Sequence, residues 1–281
     1  MANAAQPVRP PLEAKSPFEM RVNLGEDVPE TDVRTALETG DMGFLHSFTT
    51  GSTLDGPGVR VVAWTTGCQF KCQYCHNPDT WKVRNGIPVA VNNAIDELRK
   101  YRQGLKVMSG GLTISGGEPL VQHRFVMKLF RAAKEMGVHT ALDTNGYLGE
   151  WLSDEDLQSI DLVLLDIKAW DPQVHEKLTG KDNAPVLAFA RRLAQLQRPV
   201  WVRFVLVPGL TDAPENYQPI AAFAASLGNV QRADVLPFHQ MGRFKWQQLA
   251  MPYTLQNTTP PDTATVDRVV ATFRAAGLQA Y

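Results

Sequence analysis

Gly67-Cys68-Gln69-Phe70-Lys71-Cys72-Gln73-Tyr74-Cys75-His76-Asn77 contains every cysteine of the chain, spaced C-x3-C-x2-C, directly after the apolar, β-branched run Val59 to Thr65. A strand that empties into three thiols puts metal chemistry at a strand's carboxyl end, where barrel-like and open α/β sheets gather their sites. Three sulfurs this close can grip a metal or cluster, whereas a closed iron–sulfur or zinc site takes four protein ligands. No fourth cysteine exists in the 281 residues, so a four-iron cluster held here keeps one iron open to a small molecule. The same trio with His76 as fourth ligand would make a zinc knuckle. Three cysteines can also be unrelated buried apolar residues.

Outward from that loop the chain repeats one pattern. Val91, Ala94, Ile95, Leu98 and Tyr101 recur at helical spacing after it. Gly111 to Ser115, His139 to Leu142, Leu162 to Leu165, Val200 to Val207 and Ala233 to Leu236 read as further buried strands. Between and after them lie helical stretches: one carrying Phe125, Val126, Leu129, Phe130 and Ala133 and ending at Gly137, then Pro185 to Leu196, Ile220 to Leu227 and Val266 to Ala276. Ser153 with Asp156 predicts a capping box. Six strand-then-helix units make a parallel sheet clad by helices, too few for a closed eight-stranded barrel.

Residues 1–42 are rich in Pro, Ala, Glu and Val without a sustained period and are expected to be a disordered extension, with 43–281 as the folded domain. Lys and Arg number 28 against 29 Asp and Glu, so nothing in the charge balance suggests nucleic acid as a partner. No apolar run reaches the ~18 residues needed to span a bilayer, and the amino terminus lacks a secretory pattern. A cytoplasmic protein is expected, which also suits three unpaired thiols.

Polar residues stand directly after the apolar strands: Gly116-Gly117-Glu118, Asp143, Asp166-Ile167-Lys168 and His239, with Arg203 inside a strand. The fold gathers them around one cavity. Buried charges of this kind need partners, and a structural ion pair at the rim satisfies that need as well as a ligand does. Gly116-Gly117 suits close approach of backbone. The turn Asp55-Gly56-Pro57-Gly58, followed by Arg60, is a tight bend that can serve as a connector or a contact surface.

The ordered motifs His46-Ser47-Phe48, Asp55-Gly56-Pro57-Gly58-Val59-Arg60, C-x3-C-x2-C, Tyr74-Cys75-His76-Asn77-Pro78-Asp79-Thr80-Trp81, Ser115-Gly116-Gly117-Glu118, Leu142-Asp143-Thr144-Asn145-Gly146, Asp166-Ile167-Lys168 and Leu236-Pro237-Phe238-His239 resemble the pyruvate formate-lyase-activating family of radical S-adenosylmethionine enzymes, from about Gly43 onward. The resemblance implies an α/β fold of the partial (β/α)6 barrel type. It implies one [4Fe-4S] cluster on Cys68, Cys72 and Cys75, with S-adenosylmethionine chelated to the open iron and split reductively to a 5′-deoxyadenosyl radical. Tyr74, Cys75, His76, Gly117, Asp166, Ile167, Lys168 and His239 are then expected around that cofactor, and so are Gly116, Glu118, Asp143 and Arg203. The radical is carried by the cofactor, and no side chain is assigned as catalytic. Asp55 and Arg60 become candidate contacts for the substrate peptide. The implied partners are pyruvate formate-lyase and a low-potential donor such as flavodoxin, acting on a monomer. Activation of a different glycyl radical enzyme is the near alternative, and a zinc-binding interaction module the distant one.

Overall fold

In a computed structural model of the chain, residues 29–281 are described. The first half runs α1 (Glu30–Thr39), β1 (Met42–Ser52), β2 (Arg60–Thr65), β3 (Ile87–Ala90), α2 (Val91–Val107), β4 (Gly111–Gly116), α3 (His123–Glu135) and β5 (His139–Thr144). The second runs α4 (Asp154–Gln158), β6 (Leu162–Asp166), α5 (Pro172–Thr179), α6 (Ala184–Gln195), β7 (Val200–Leu206), α7 (Pro214–Ser226), β8 (Val230–Pro237), α8 (Arg243–Gln248) and α9 (Thr263–Ala275). The strands form one sheet in the order β3-β1-β2-β4-β5-β6-β7-β8. From β2 to β8 every pairing is parallel. These six strands are the expected units, each within a few residues of its predicted place.

Two antiparallel strands go beyond the expectation. β1 pairs with β2 and with β3, the latter carrying Pro88 at the sheet's edge, where a missing N–H costs no ladder bond. At the other edge Gln279 to Tyr281 lie along β8, with Ala233 N donating to the Gln279 carbonyl and Val235 N to that of Tyr281. Both edges are thereby blunted against pairing with other chains.

The central parallel strands are buried along nearly their whole length, as in β2, β4 and β6, because helices cover the sheet and leave no watered face. α3 presents Phe125, Val126, Leu129, Phe130 and Ala133 to that core, as its spacing predicts. The Ser153–Asp156 capping box is formed in both directions.

The extension needs correcting. Residues 1–28 of the expected disordered segment lie outside the described residues, but residues 30–39 form α1 and β1 begins at Met42. Glu30 and Asp32 in the first turn complement the helix dipole, and Gly40, at φ 69°, closes the helix. Val33 and Ala36 pack with Phe44 in a small cluster of their own. Two buried side chains in ten residues make an apolar stripe too thin to announce a helix.

Candidate functional site

Every parallel strand delivers its carboxyl end to one cavity of about 420 Å³. The loop after β2 contributes Cys68, Cys72, Tyr74, Cys75 and His76; β4 and its exit contribute Ser115, Gly116 and Gly117. Asp143, Thr144 and Asn145 come from the end of β5, Asp166 and Lys168 from β6, Val205 from β7, and Leu236, Pro237 and His239 from β8. The convergence expected from the sequence is therefore present for most of the named residues.

The cysteine loop is shaped by backbone bonds. Gly67 N donates to Thr80 O (2.6 Å), Cys68 N to Trp81 O (3.1 Å) and Cys75 N to Cys72 O (3.0 Å), while Lys71 N and Gln73 N reach the carbonyls of Thr179 and Leu178 at the end of α5. The loop is thus strapped to its neighbours on both sides. Burial pushes the Cys68 thiol well above its ordinary range, with Cys72 and Glu118 adding to the effect. Burial pushes Cys72 up to about 12 against the opposing pull of Lys168, and raises Cys75 as well. Thiols so reluctant to ionise in isolation call for a cationic group, since binding a metal exchanges the thiol protons for positive charge.

Among the described residues no three Cys, His, Asp or Glu side chains converge tightly enough to hold one metal ion. The His76 ring stacks on His239 with centroids 4.0 Å apart. A zinc knuckle with His76 as fourth ligand is not the geometry present. Three sulfurs that ring one cavity without meeting at a point suit a polynuclear group. A second observation fits a bound ligand: the Tyr74 hydroxyl, on the wall of this cavity, is buried without a hydrogen-bond partner, a state that normally means a missing partner molecule.

The charged wall is paired. Lys168 Nζ donates to Asp166 Oδ2 at 3.0 Å. Burial pulls this ammonium down, but Asp166, Tyr74 and the Cys72 sulfur together hold it well above its ordinary value. Asp143 Oδ2 accepts from Ser115 Oγ (2.6 Å) and Arg203 Nη1 (2.9 Å); burial nevertheless raises its carboxyl. Arg203 therefore pairs with Asp143. It stands behind the wall, and its Nη2 donates to Leu54 O (3.2 Å) with Asp55 Oδ1 3.8 Å away.

Several expected roles change. Glu118 is fully buried and off the cavity: its Oε1 accepts from Leu120 N and Thr144 Oγ1, its Oε2 from Asn145 N. It is a brace between the exits of β4 and β5. Ile167 is buried too, its backbone N–H bonded to Arg203 O, so its side chain does not reach the cavity. Gly116 and Gly117 line it, but their lack of a side chain serves the protein's own packing. A Cβ on Gly116 would stand 2.2 Å from Thr65 N and O, and one on Gly117 2.4 Å from Gly67 O. Arg60 is corrected most firmly: it is fully buried at the amino end of β2, away from the cysteines, donating to Thr113 Oγ1 and Leu112 O beside His139. A side chain with no exposure and this many internal partners is not a peptide contact.

Asn145 is the residue that sequence reasoning undervalued. Its Nδ2 lies 3.9 Å from Cys68 Sγ and its Oδ1 accepts from Gln69 Nε2 (2.9 Å); its place one residue past Asp143-Thr144 was the available signal. Trp81 and Trp246 also touch the loop directly: Trp81 lines the cavity, and Trp246 Nε1 donates to Cys75 O (2.8 Å).

Glu118 carries a testable consequence. Burial pushes its carboxyl up to about 7 against three hydrogen bonds. The native chain then holds a proton that the unfolded chain releases near 4.5, so stability is full below about pH 4.5 and falls as pH rises through about 7. Urea unfolding of the full chain without cluster should show a loss of up to about 3 kcal/mol across that window from this group. Glu118→Gln, which cannot ionise, should flatten the slope; an unchanged slope means Glu118 ionises normally in the fold.

Comparison with known proteins agrees with the geometry. The model of the radical SAM superfamily matches residues 62–217. A pyruvate formate-lyase-activating enzyme of Staphylococcus epidermidis is 44% identical over 231 residues, covering 80% of this chain and 92% of that protein. A pyruvate formate-lyase 1-activating enzyme of Escherichia coli is 40% identical over 230 residues, covering 81% and 94%. Among solved structures, a radical SAM methyltransferase from Sphaerobacter thermophilus superposes with a TM-score of 0.58 at 17% identity, covering 90% of this chain and 81% of that chain, a likeness of fold alone.

Proposed function

The chain belongs to the radical SAM superfamily and, within it, to the pyruvate formate-lyase-activating enzymes, and from that premise we propose how its own residues serve the reaction. The enzyme activates pyruvate formate-lyase: Cys68, Cys72 and Cys75 would hold a [4Fe-4S] cluster and the facing wall S-adenosylmethionine, and the bound pair would supply the reductive radical chemistry that removes a hydrogen atom from a glycine of the partner. Everything else is binding, orientation and exclusion of water, which are the protein's share of cofactor chemistry.

Cys68, Cys72 and Cys75 are the cluster ligands in this proposal, supported by their common cavity and by thiols that burial leaves in need of a cation. The arrangement of paired charges opposite them suits a zwitterion. Asp166 and Asp143 can receive an ammonium, and Lys168, fixed beside Tyr74, can meet a carboxylate. Gly116 and Gly117 offer backbone on the same wall, and the stacked His76 and His239 offer flat aromatic faces to a purine. Arg203 acts through Asp143, and Ile167 and Glu118 through the backbone they hold. Asp55 is itself only 8% exposed and accepts from Ser52 Oγ, so its proposed place at the peptide entrance is to seat the turn that carries Leu54, which is 79% exposed, against Arg203 and the cavity wall.

A low-potential donor of the flavodoxin type reduces the cluster from the loop's outer face, where Lys71, Lys82 and Lys177 are exposed. The proposed working unit is a monomer. The site of action is the cytoplasm, where reduced thiols persist; among the described residues no helix is long and apolar enough to cross a membrane. The observation that carries the reading is the closure of three cysteines, and no fourth, onto the cavity that holds Asp166 and Lys168. Anaerobic incubation with S-adenosylmethionine, a reductant and pyruvate formate-lyase should yield a glycine-centred signal by electron paramagnetic resonance. A reconstituted enzyme that splits S-adenosylmethionine yet leaves pyruvate formate-lyase silent would reassign the partner to another glycyl radical enzyme.

A further inference from the structure

His46 and Asp79 sit in two of the motifs that carry the family likeness, yet neither lines the cavity. Their shared partner is Lys245 on α8. Its Nζ lies 2.9 and 3.0 Å from the two Asp79 oxygens, 2.9 Å from Asn77 Oδ1 and 3.3 Å from His46 Nε2, and His46 Nε2 is 2.8 Å from Asp79 Oδ2. The side chains of Lys245 and Asp79 are only 5% and 3% exposed. Apolar side chains of similar volume usually hold a helix at no greater cost than a buried ion pair, so such a pair is better explained by the one placement it permits. α8 is six residues long, and Arg243, Phe244, Gln247 and Gln248 around the lysine are exposed.

What this placement fixes is the rim of the cofactor cavity. Gln240 Nε2 donates to the carbonyls of Leu255 and Thr258, closing residues 240–258 into a loop of their own. That loop meets the cysteine loop at three points: Lys245 on Asn77 and Asp79, Trp246 on the Cys75 carbonyl, and Gly242, where a Cβ would stand 2.6 Å from His76 Cα. The Trp246 ring also meets Trp81 edge-on at 5.3 Å. Just before the loop, His239 lies against His76.

We propose that Lys245 is a positioning residue: it fastens the 239–258 segment to the Asn77–Asp79 strip of the cysteine loop and so sets the His76–His239 wall against which S-adenosylmethionine is held. The inference rests on the reading of this cavity as the S-adenosylmethionine site. Breaking the latch frees the segment and loosens the wall without removing any cluster ligand.

The test uses the reconstituted full chain. Lys245→Met leaves Asp79 buried with only His46, which can itself unfold a protein, so the deciding variant is the pair Asp79→Asn with Lys245→Met, which removes both charges together. Amide hydrogen exchange across 243–249 should quicken at least ~10-fold, reporting local opening. The dissociation constant for S-adenosylmethionine should rise by about 10-fold while iron and sulfide per chain stay at the wild-type level. Unchanged affinity in the double variant overturns the inference, whether or not the segment exchanges faster, and leaves the cofactor reading standing. Lost iron also overturns it, because the network then holds the cysteine loop itself. Failure of the wild-type, fully iron-loaded chain to bind S-adenosylmethionine sinks the cofactor reading and the latch with it.

Discussion

Cys72→Ala should abolish the glycine-centred signal and strip the chain of its full iron complement. The three cysteines are all the chain has, and Cys72 is the most enclosed of them, 8% exposed on the cavity wall with its thiol pushed by burial up to about 12. No neighbour can stand in. His76 is committed to the stack with His239 and Asp166 to Lys168, while the Asn145 amide already points at Cys68. Changes to residues that merely orient a metal ligand typically cost 10–100-fold, so loss of the ligand itself should lower radical yield by more than about 100-fold. Cys72 lies in a loop whose shape is held by backbone bonds at Gly67, Cys68, Lys71, Gln73 and Cys75. The apoprotein should therefore keep its fold, and circular dichroism should not change. A variant that retains full iron and a wild-type radical yield would remove Cys72 from the cluster, and with it the premise of an open iron.

The legible part of this molecule was that in which one physical cause dominates. The parallel strands are apolar runs because both faces are covered, so Val59 to Thr65, Gly111 to Ser115 and Leu162 to Leu165 declared themselves. The residues after them were legible as a site because parallel strands open their carboxyl ends to the same place. What escaped were elements made by tertiary contact. α8 has no capping side chain and no apolar stripe; it is held by a buried lysine and the neighbouring Trp246, whose partners lie about 165 to 200 residues earlier. α5 carried a signal that went unused, Asp171 before Pro172, whose carboxylate accepts from Gln173 N and Val174 N. Arg60 was expected at the substrate peptide because the resemblance brings its turn to the mouth of the site, and nothing local reveals that Leu112, Thr113 and His139 will close over it.

Gly116→Ala should be the most damaging single methyl that can be added near the site. Gly116 has φ +125°, a region that side-chain-bearing residues avoid, and it faces Thr65 as its register partner in the β2–β4 ladder. The new Cβ would meet backbone N and O atoms at 2.2 Å, and backbone cannot rotate aside as a side chain can. Relief requires β2 and β4 to part at the point where Gly117 N donates to Thr65 O (2.8 Å) and Glu118 N to Gly67 O (2.7 Å), the two bonds that seat the cysteine loop on β4. The expected loss is at least about 4 kcal/mol, at the severe end for one substitution and a large share of an ordinary domain's ~5–15 kcal/mol. Gly180→Ala is the control: φ is +80° there, but nothing lies within 4 Å of the added Cβ, so only the left-handed backbone penalty of ~1–2 kcal/mol applies. The excess loss at Gly116 in urea unfolding reports the collision together with the greater strain of its φ +125° backbone. Near-equal losses would mean that β2 and β4 separate freely at their carboxyl ends, and that the cysteine loop owes its seat to something other than this ladder.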